Sequence, residues 1–410
     1  MNKPKFITMN NGLTVLIYSD KTKMTNHVEL RTLLGGVNQT YEDSKGNIKK
    51  IPEGTAHLLE HYICECNNIG NYIDNIYKYK ALDVNAYTNL YGTKFHFDTV
   101  YNFKNCLLTM LNTIYNIEFT KDKLDKTKFA VYNELRDEKD KPRRKISNAH
   151  IKLSYGKKID VGGTKTSVSS VTPSLLEEVY KTFYVPKNQF LVLAGTFDEE
   201  EILNLIKDFY SKYKFKNNKR QTGIEASPNT YNQTLLIEGN KIDEVYVKYK
   251  IPINNLSSYE LYKQDWYLAY FVDINLSNFS KLNETLKKEN IITGHIVSSE
   301  YNINGYKVLE IGAYTNNKKE FIKRVHSLVN NPKEREEEFE LCKKNSILHV
   351  SVRSDNISTY VMPTVDNYLE FDYKENDNIE FIESLNYKEY KETISKIDFS
   401  KYSTLTIKDK

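Results

Sequence analysis

The sequence predicts an α+β protein of two similar lobes, each a mostly antiparallel sheet packed with helices, joined by a linker. Three observations carry this. The 410 residues divide into two stretches that each run strands, helices, strands, helices. A polar stretch between them, KFKNNKRQTGIEASPNTYNQ (Lys214–Gln233), holds few large apolar residues. Hydrophobic residues make up 40% of the chain and charged residues 27%, enough for a sizeable core and too apolar for a disordered chain. The expected boundaries are 1–215 for the first lobe, 216–233 for the linker and 234–410 for the second lobe. No residue-level repeat relates the halves, so any duplication lies in the architecture.

The elements follow in order. Phe6–Met9 and Leu13–Ser19 flank the turn signal Asn10-Asn11-Gly12 and read as a hairpin. His27–Leu34 is a third strand, and a polar loop fills Asn38–Pro52. Gly54-Thr55 caps a helix over Ala56–Cys66, and Tyr72–Lys80 is a second. Leu82–Thr88 and Lys94–Val100 read as paired strands. Phe103–Ile117 places Leu107, Leu108, Leu111, Ile114 and Tyr115 at helical spacing. Thr120–Lys139 is a long helix stopped near Pro142, followed by a helix at Pro173–Phe183, a strand at Phe190–Ala194 and a helix at Asp198–Tyr213. The second half repeats the order: strands at Thr234–Glu238 and Glu244–Pro252, helices within Tyr259–Lys288, strands at Ile291–Ser299 and Tyr306–Tyr314, helices at Lys318–Asn330, Glu334–Arg353 and Tyr387–Ile397, and a last strand at Ser403–Ile407.

Composition removes several functions. Lys and Arg number 58 against 54 Asp and Glu, a net of +4, which is no electrostatic footprint for nucleic acid. No run approaches the ~18 apolar residues of a membrane span. The opening MNKPKFITMNNGLTVLIYSDKTK lacks the continuous apolar segment of a secretory signal. Four cysteines are too few for a disulfide framework. The expectation is a soluble, reduced, cytoplasmic protein with no nucleic-acid partner and no membrane span.

The chemistry sits in Gly54-Thr55-Ala56-His57-Leu58-Leu59-Glu60-His61. His57 and His61 are four apart, so on a helix they share one face, where two imidazoles bind a single Zn²⁺. Glu60 reaches that face too, and a carboxylate beside a metal-held water is a natural general base. Two histidines need a third ligand, usually a carboxylate. A bare pair of helix histidines also fits simple packing, so the flanks must decide.

The flanks match a known family. The chain resembles the pitrilysin/insulinase family of inverted-motif zinc metallopeptidases, and within it the half-length members similar to mitochondrial processing peptidase. The resemblance rests on Gly54-Thr55-Ala56 before the motif, on Asp83-Val84-Asn85-Ala86-Tyr87-Thr88 as the family's N-A-x-T strand, and on Val131-Tyr132-Asn133-Glu134-Leu135 as the segment of the third ligand. Gly163-Thr164, Phe183-Tyr184-Val185-Pro186-Lys187-Asn188 and Gly195-Thr196-Phe197-Asp198 continue it in order, over about residues 5–215. It implies that His57, His61 and Glu134 bind zinc, that Glu60 activates the water, and that Asn85, Ala86 and Tyr87 contact an extended peptide substrate by β-augmentation. Glu134 also reads as one more acidic residue on a charged helix, and Asn85 as an ordinary strand end.

Departures accompany the match. Thr127 stands where many members carry a glutamate seven residues before the third ligand. Cys64 lies three residues after His61, where relatives carry a large apolar side chain, and reads as a buried apolar-like cysteine. In the second half, Lys288 and His295 occupy the register of an Arg and a Tyr that active relatives use against substrate. Arg and Lys are not interchangeable at a forked contact; Lys288 and His295 read as ordinary surface, with Tyr301 or Tyr306 the weaker alternative. The segment Lys139–Lys145, KDKPRRK, reads as a solvated helix end, and His27, His96, His150, His326 and His349 stand alone. The expected function is a zinc endopeptidase of short or unfolded peptides, including leader or precursor peptides. Its expected partner is a sequence-related second subunit supplying Arg and Tyr, otherwise a second copy. The alternative is a non-catalytic structural or assembly subunit.

Overall fold

A computed structural model describes residues 3–43, 45–215, 221, 223–239, 242–253, 255–332, 335–353, 355–374 and 379–410. The chain divides into two compact units. The first comprises Met1–Asp140, Ile159–Ile224 and Ser354–Val365; the second comprises Lys141–Lys158, Glu225–Arg353 and Asp366–Lys410. The expected boundaries were continuous in sequence, whereas the units exchange segments. Of the expected linker, 216–220 and 222 lie outside the described residues, and Asn232–Leu236 is already a strand.

The first unit is built on eight strands: β1 Lys5–Thr8, β2 Thr14–Ser19, β3 Asn26–Thr32, β4 Thr40–Glu42, β5 Ile48–Lys50, β6 Leu82–Thr88, β7 Thr93–Thr99 and β8 Gln189–Gly195. Six of them form one sheet in the order β1-β2-β8-β3-β7-β6. Only the β2–β8 pair is parallel. Central β8, QFLVLAG, is buried along its whole length, as a strand covered on both faces must be. In β7, Thr93, Phe95, Phe97 and Thr99 are buried, whereas Lys94, His96 and Asp98 are only partly so, the period-2 pattern of a sheet with one core face. The polar loop expected over Asn38–Pro52 contains the short antiparallel pair β4–β5. Each strand is three residues long, too short to show a period.

The motif helix spans Thr55–Cys66 and buries Leu58, Leu59, Tyr62 and Ile63 in the core of this unit. Its start is set by backbone, not by a side-chain cap. Gly54 has φ 83°, and a Cβ there would lie 2.5 Å from the Gly162 carbonyl oxygen. Gly163, φ 75°, meets the Glu53 carbonyl just as closely. Two glycines back to back let the chain cross itself at the entry to the helix. The helix Lys121–Glu138 packs beside it.

The expected long helix spans Lys121–Glu138 and stops short of Pro142. Pro142 is also the first residue of a further, unanticipated helix, Pro142–Tyr155, because proline at that position loses no hydrogen bond. This helix belongs to the second unit, where Ala149 and Leu153 pack on Leu405 and Ile407. The second unit holds a five-stranded sheet from β9 Asn232–Leu236, β10 Glu244–Pro252, β11 Ile292–Ile303, β12 Tyr306–Thr315 and β13 Tyr402–Lys408, in the order β11-β12-β10-β13-β9. Again one pair, β13–β9, is parallel. Helices Ser258–Leu276, Lys281–Lys288 and Lys318–Asn330 cover it much as expected. Helix Ile357–Phe371, unanticipated, carries Pro363 internally and passes from one unit to the other. Among the described residues, no helix is long and apolar enough to cross a membrane.

Candidate metal centre

The i, i+4 spacing on the motif helix sets the His57 and His61 rings edge-on, with centroids 4.7 Å apart. Glu134 arrives from the helix Lys121–Glu138. Its Oε2 lies 3.5 Å from His57 Nε2 and 3.3 Å from His61 Nε2. One donor atom from each of the three falls within 4.8 Å of the others, and among the described residues this is the one cluster that meets that condition. Two imidazole nitrogens and one carboxylate oxygen converging in this way suit zinc with a coordination position left open. Burial pulls the His61 imidazolium down, but Glu134 and Glu65 outweigh it and push its pKa up to about 10. A field that holds a proton this firmly also favours a divalent cation.

Glu60 is 7% exposed beside this cluster. Desolvation raises its carboxyl above the ordinary value, against a partly offsetting hydrogen bond from Thr88. Thr88 Oγ1 donates to Glu60 Oε2 at 2.7 Å and lies 3.1 Å from Thr93 Oγ1, which reaches the Leu34 carbonyl at 3.0 Å. A line of hydroxyls from β6 and β7 thereby orients the carboxylate. Thr88 carries no local signal for this role, since Glu60 lies 28 positions away on another element. Glu65, whose Oε1 lies 3.3 Å from His61 Nδ1, is announced in the sequence by the four-residue spacing alone.

Asn85, Ala86 and Tyr87 lie on β6, the edge of its sheet, on the same strand as Thr88. Asn85 Oδ1 accepts from the Ala86 amide at 2.8 Å, and the Tyr87 ring meets His96 edge-on with Lys94 above it. Thr127 is fully buried, bonded to the Lys123 carbonyl and 3.3 Å from Cys66 Sγ. Burial pushes the Cys64 thiol well up, which suits an apolar role.

In the second unit, Lys288 ends its helix exposed, and His295 Nδ1 lies 2.8 Å from Lys287 Nζ. Tyr301 donates to Glu310 at 3.4 Å, with Lys248 over its ring. Three histidines expected to stand alone face carboxylates: His27 with Asp98 at 2.6 Å, His96 with Asp83 at 3.7 Å and His150 with Glu310 at 2.8 Å. Each partner is distant in sequence, so no local pattern announced it.

Two family models match the chain, one described as insulinase, peptidase family M16, over residues 48–158, the other as the peptidase M16 inactive domain over residues 170–346. YmfH of Bacillus subtilis, called an uncharacterized zinc protease, is 28% identical over 208 residues, 50% of this chain and 48% of that protein. PqqL of Escherichia coli, called a probable zinc protease, is 26% identical over 226 residues, 51% of this chain and 23% of that protein. The matched stretches span about half or less of these relatives' own lengths. Among solved structures, a putative M16-like peptidase from Alicyclobacillus acidocaldarius is similar at TM-score 0.85 and 21% identity, covering 99% of this chain and 98% of that one. A peptidase M16 inactive domain from Pseudomonas fluorescens gives 0.79 at 12% identity, covering 100% and 98%. These likenesses carry the fold.

Proposed function

The chain belongs to the pitrilysin/insulinase family, and from that premise we propose that it is a zinc-dependent endopeptidase of short or unfolded peptides, leader or precursor peptides among them. The observation that supports this best is the convergence of His57, His61 and Glu134 with Glu60 buried beside them. Zinc held by those three would polarise a scissile carbonyl and acidify the attacking water. Glu60 takes the proton from that water and returns it to the leaving amine. Desolvation, which raises its carboxyl, makes Glu60 a stronger base toward the water while leaving it acidic enough to protonate the amine. The Thr88 hydroxyl keeps the carboxylate in one orientation throughout. The substrate adds as a strand to the free edge of β6, against Asn85, Ala86 and Tyr87.

The chain works as the zinc-bearing subunit of a heterodimer. Lys288 and His295 stand in the register of the Arg/Tyr pair, so a sequence-related partner supplies that pair in trans; a homodimer is the other arrangement. The four cysteines are unpaired, which suits the reducing cytoplasm. A second reading, a non-catalytic assembly subunit, is favoured by the match of 170–346 to a model described as an inactive domain. The deciding experiment follows cleavage of unstructured peptides by the chain with a co-encoded relative. Glu60→Gln should retain one zinc per chain and lose ~10²–10⁴-fold in rate. Cleavage by Glu60→Gln within a few-fold of wild type overturns the mechanism. A zinc-loaded mixture with no turnover favours the assembly role.

A further inference from the structure

Glu65 lies one turn beyond His61 on the motif helix, at the spacing that brings side chains together on a helix surface. Its Oε1 is 3.3 Å from His61 Nδ1, while the opposite ring nitrogen, Nε2, lies 3.3 Å from Glu134. The two ring nitrogens thus have separate tasks. A carboxylate is an acceptor only, so Nδ1 carries the hydrogen and Nε2 keeps its lone pair for the metal.

The placement also runs against local preference. Glu65 sits in the last turn of a helix whose terminus favours cations, and no basic residue is found there. A residue that breaks a local rule beside a cluster of ligands points to a task in that cluster. No carboxylate comes from the adjacent helix at Thr127, which is buried and bonded to the Lys123 carbonyl.

We infer that Glu65 is a positioning residue for zinc, fixing the tautomer and ring orientation of His61 and raising the basicity of Nε2. The inference rests on the zinc reading of His57, His61 and Glu134. Carboxylate partners of this kind typically change metal affinity by about 10–100-fold.

The test measures the zinc dissociation constant of the full chain by competition with a chromophoric chelator, for wild type, Glu65→Leu and Glu65→Gln. Thermal unfolding of the metal-free proteins runs alongside, with the visible spectrum of the Co²⁺-loaded forms. Glu65→Leu should weaken zinc by about 10–100-fold and perturb the Co²⁺ bands while leaving metal-free unfolding unchanged. Glu65→Gln retains an acceptor for Nδ1–H and should recover part of the loss. If Glu65→Leu does not fold, weaker binding by the near-isosteric Glu65→Gln still supports the inference. Wild-type affinity in every folded variant overturns it and leaves the zinc reading intact. A wild type that binds no zinc removes the zinc reading itself.

Discussion

His61 is held between two carboxylates, and its proton is the first competitor of any metal. With its pKa near 10, a proton must leave before Nε2 can ligate, so apparent zinc affinity should climb about tenfold per pH unit through neutrality and flatten near pH 10. Chelator competition at several pH values measures the slope; a flat profile between pH 7 and 9 would contradict the assignment. Thr88 tests Glu60 in the same way. Its hydrogen bond lowers a carboxyl that burial raises, so Thr88→Val should push the Glu60 pKa further up and shift the acid limb of the kcat/KM profile to higher pH. The nearness of His57 and His61 was legible because two histidines at helical spacing announce a shared face without tertiary information. Thr88 was not, because its meeting with Glu60 joins a strand to a helix 28 positions away.

Elements were legible where period and length agree. The burial alternation of β7 and the apolar stripe of the motif helix could be read from sequence alone, whereas β4 and β5 are too short for any period. Pro142 does double duty, following the end of one helix at Glu138 and opening the next, and a lone proline signals only the first. The motif helix depends on Gly54 at its entry. Gly54→Ala sets a Cβ against a backbone carbonyl at φ 83° and should cost at least ~1–2 kcal/mol, read as a lower Tm and weaker zinc retention. Pro142–Tyr155 is pinned differently. His150 and Lys248 both bond Glu310, at 2.8 and 2.9 Å, with Lys248 fully buried. Burial alone would raise the Glu310 carboxyl, but His150 and Lys248 bring it down to about 2. Its folded pKa is depressed, so its stabilisation is present above pH 4.5 and lost as pH falls toward 2. Lys248→Met leaves Glu310 to His150 and Tyr301 and should destabilise by about 1–3 kcal/mol, measurable by denaturant unfolding near neutral pH.

At the scale of the whole molecule, two sheets of similar plan, each with a single parallel pair, account for the strand and helix order that both halves share. What periodicity could not reveal is the exchange of Lys141–Lys158 and Ser354–Val365 between the units, since nothing local marks which core a helix will join. In Ser354–Val365, Tyr360 packs its ring on Tyr18 and Val361 is fully buried. That exchange governs how the protein is made. The first unit emerges from the ribosome lacking a segment that follows only after roughly 130 further residues, on the order of ten seconds later at ordinary rates of synthesis. The first core therefore waits, without Tyr360 against Tyr18 and without Val361, for a piece of chain not yet translated. Expressed alone, residues 1–224 should be aggregation-prone and chaperone-dependent, while co-expression with the remainder should restore a soluble, zinc-retaining assembly. Vectorial synthesis then makes termination near residue 350 more damaging to the amino-terminal unit than its distance in sequence suggests.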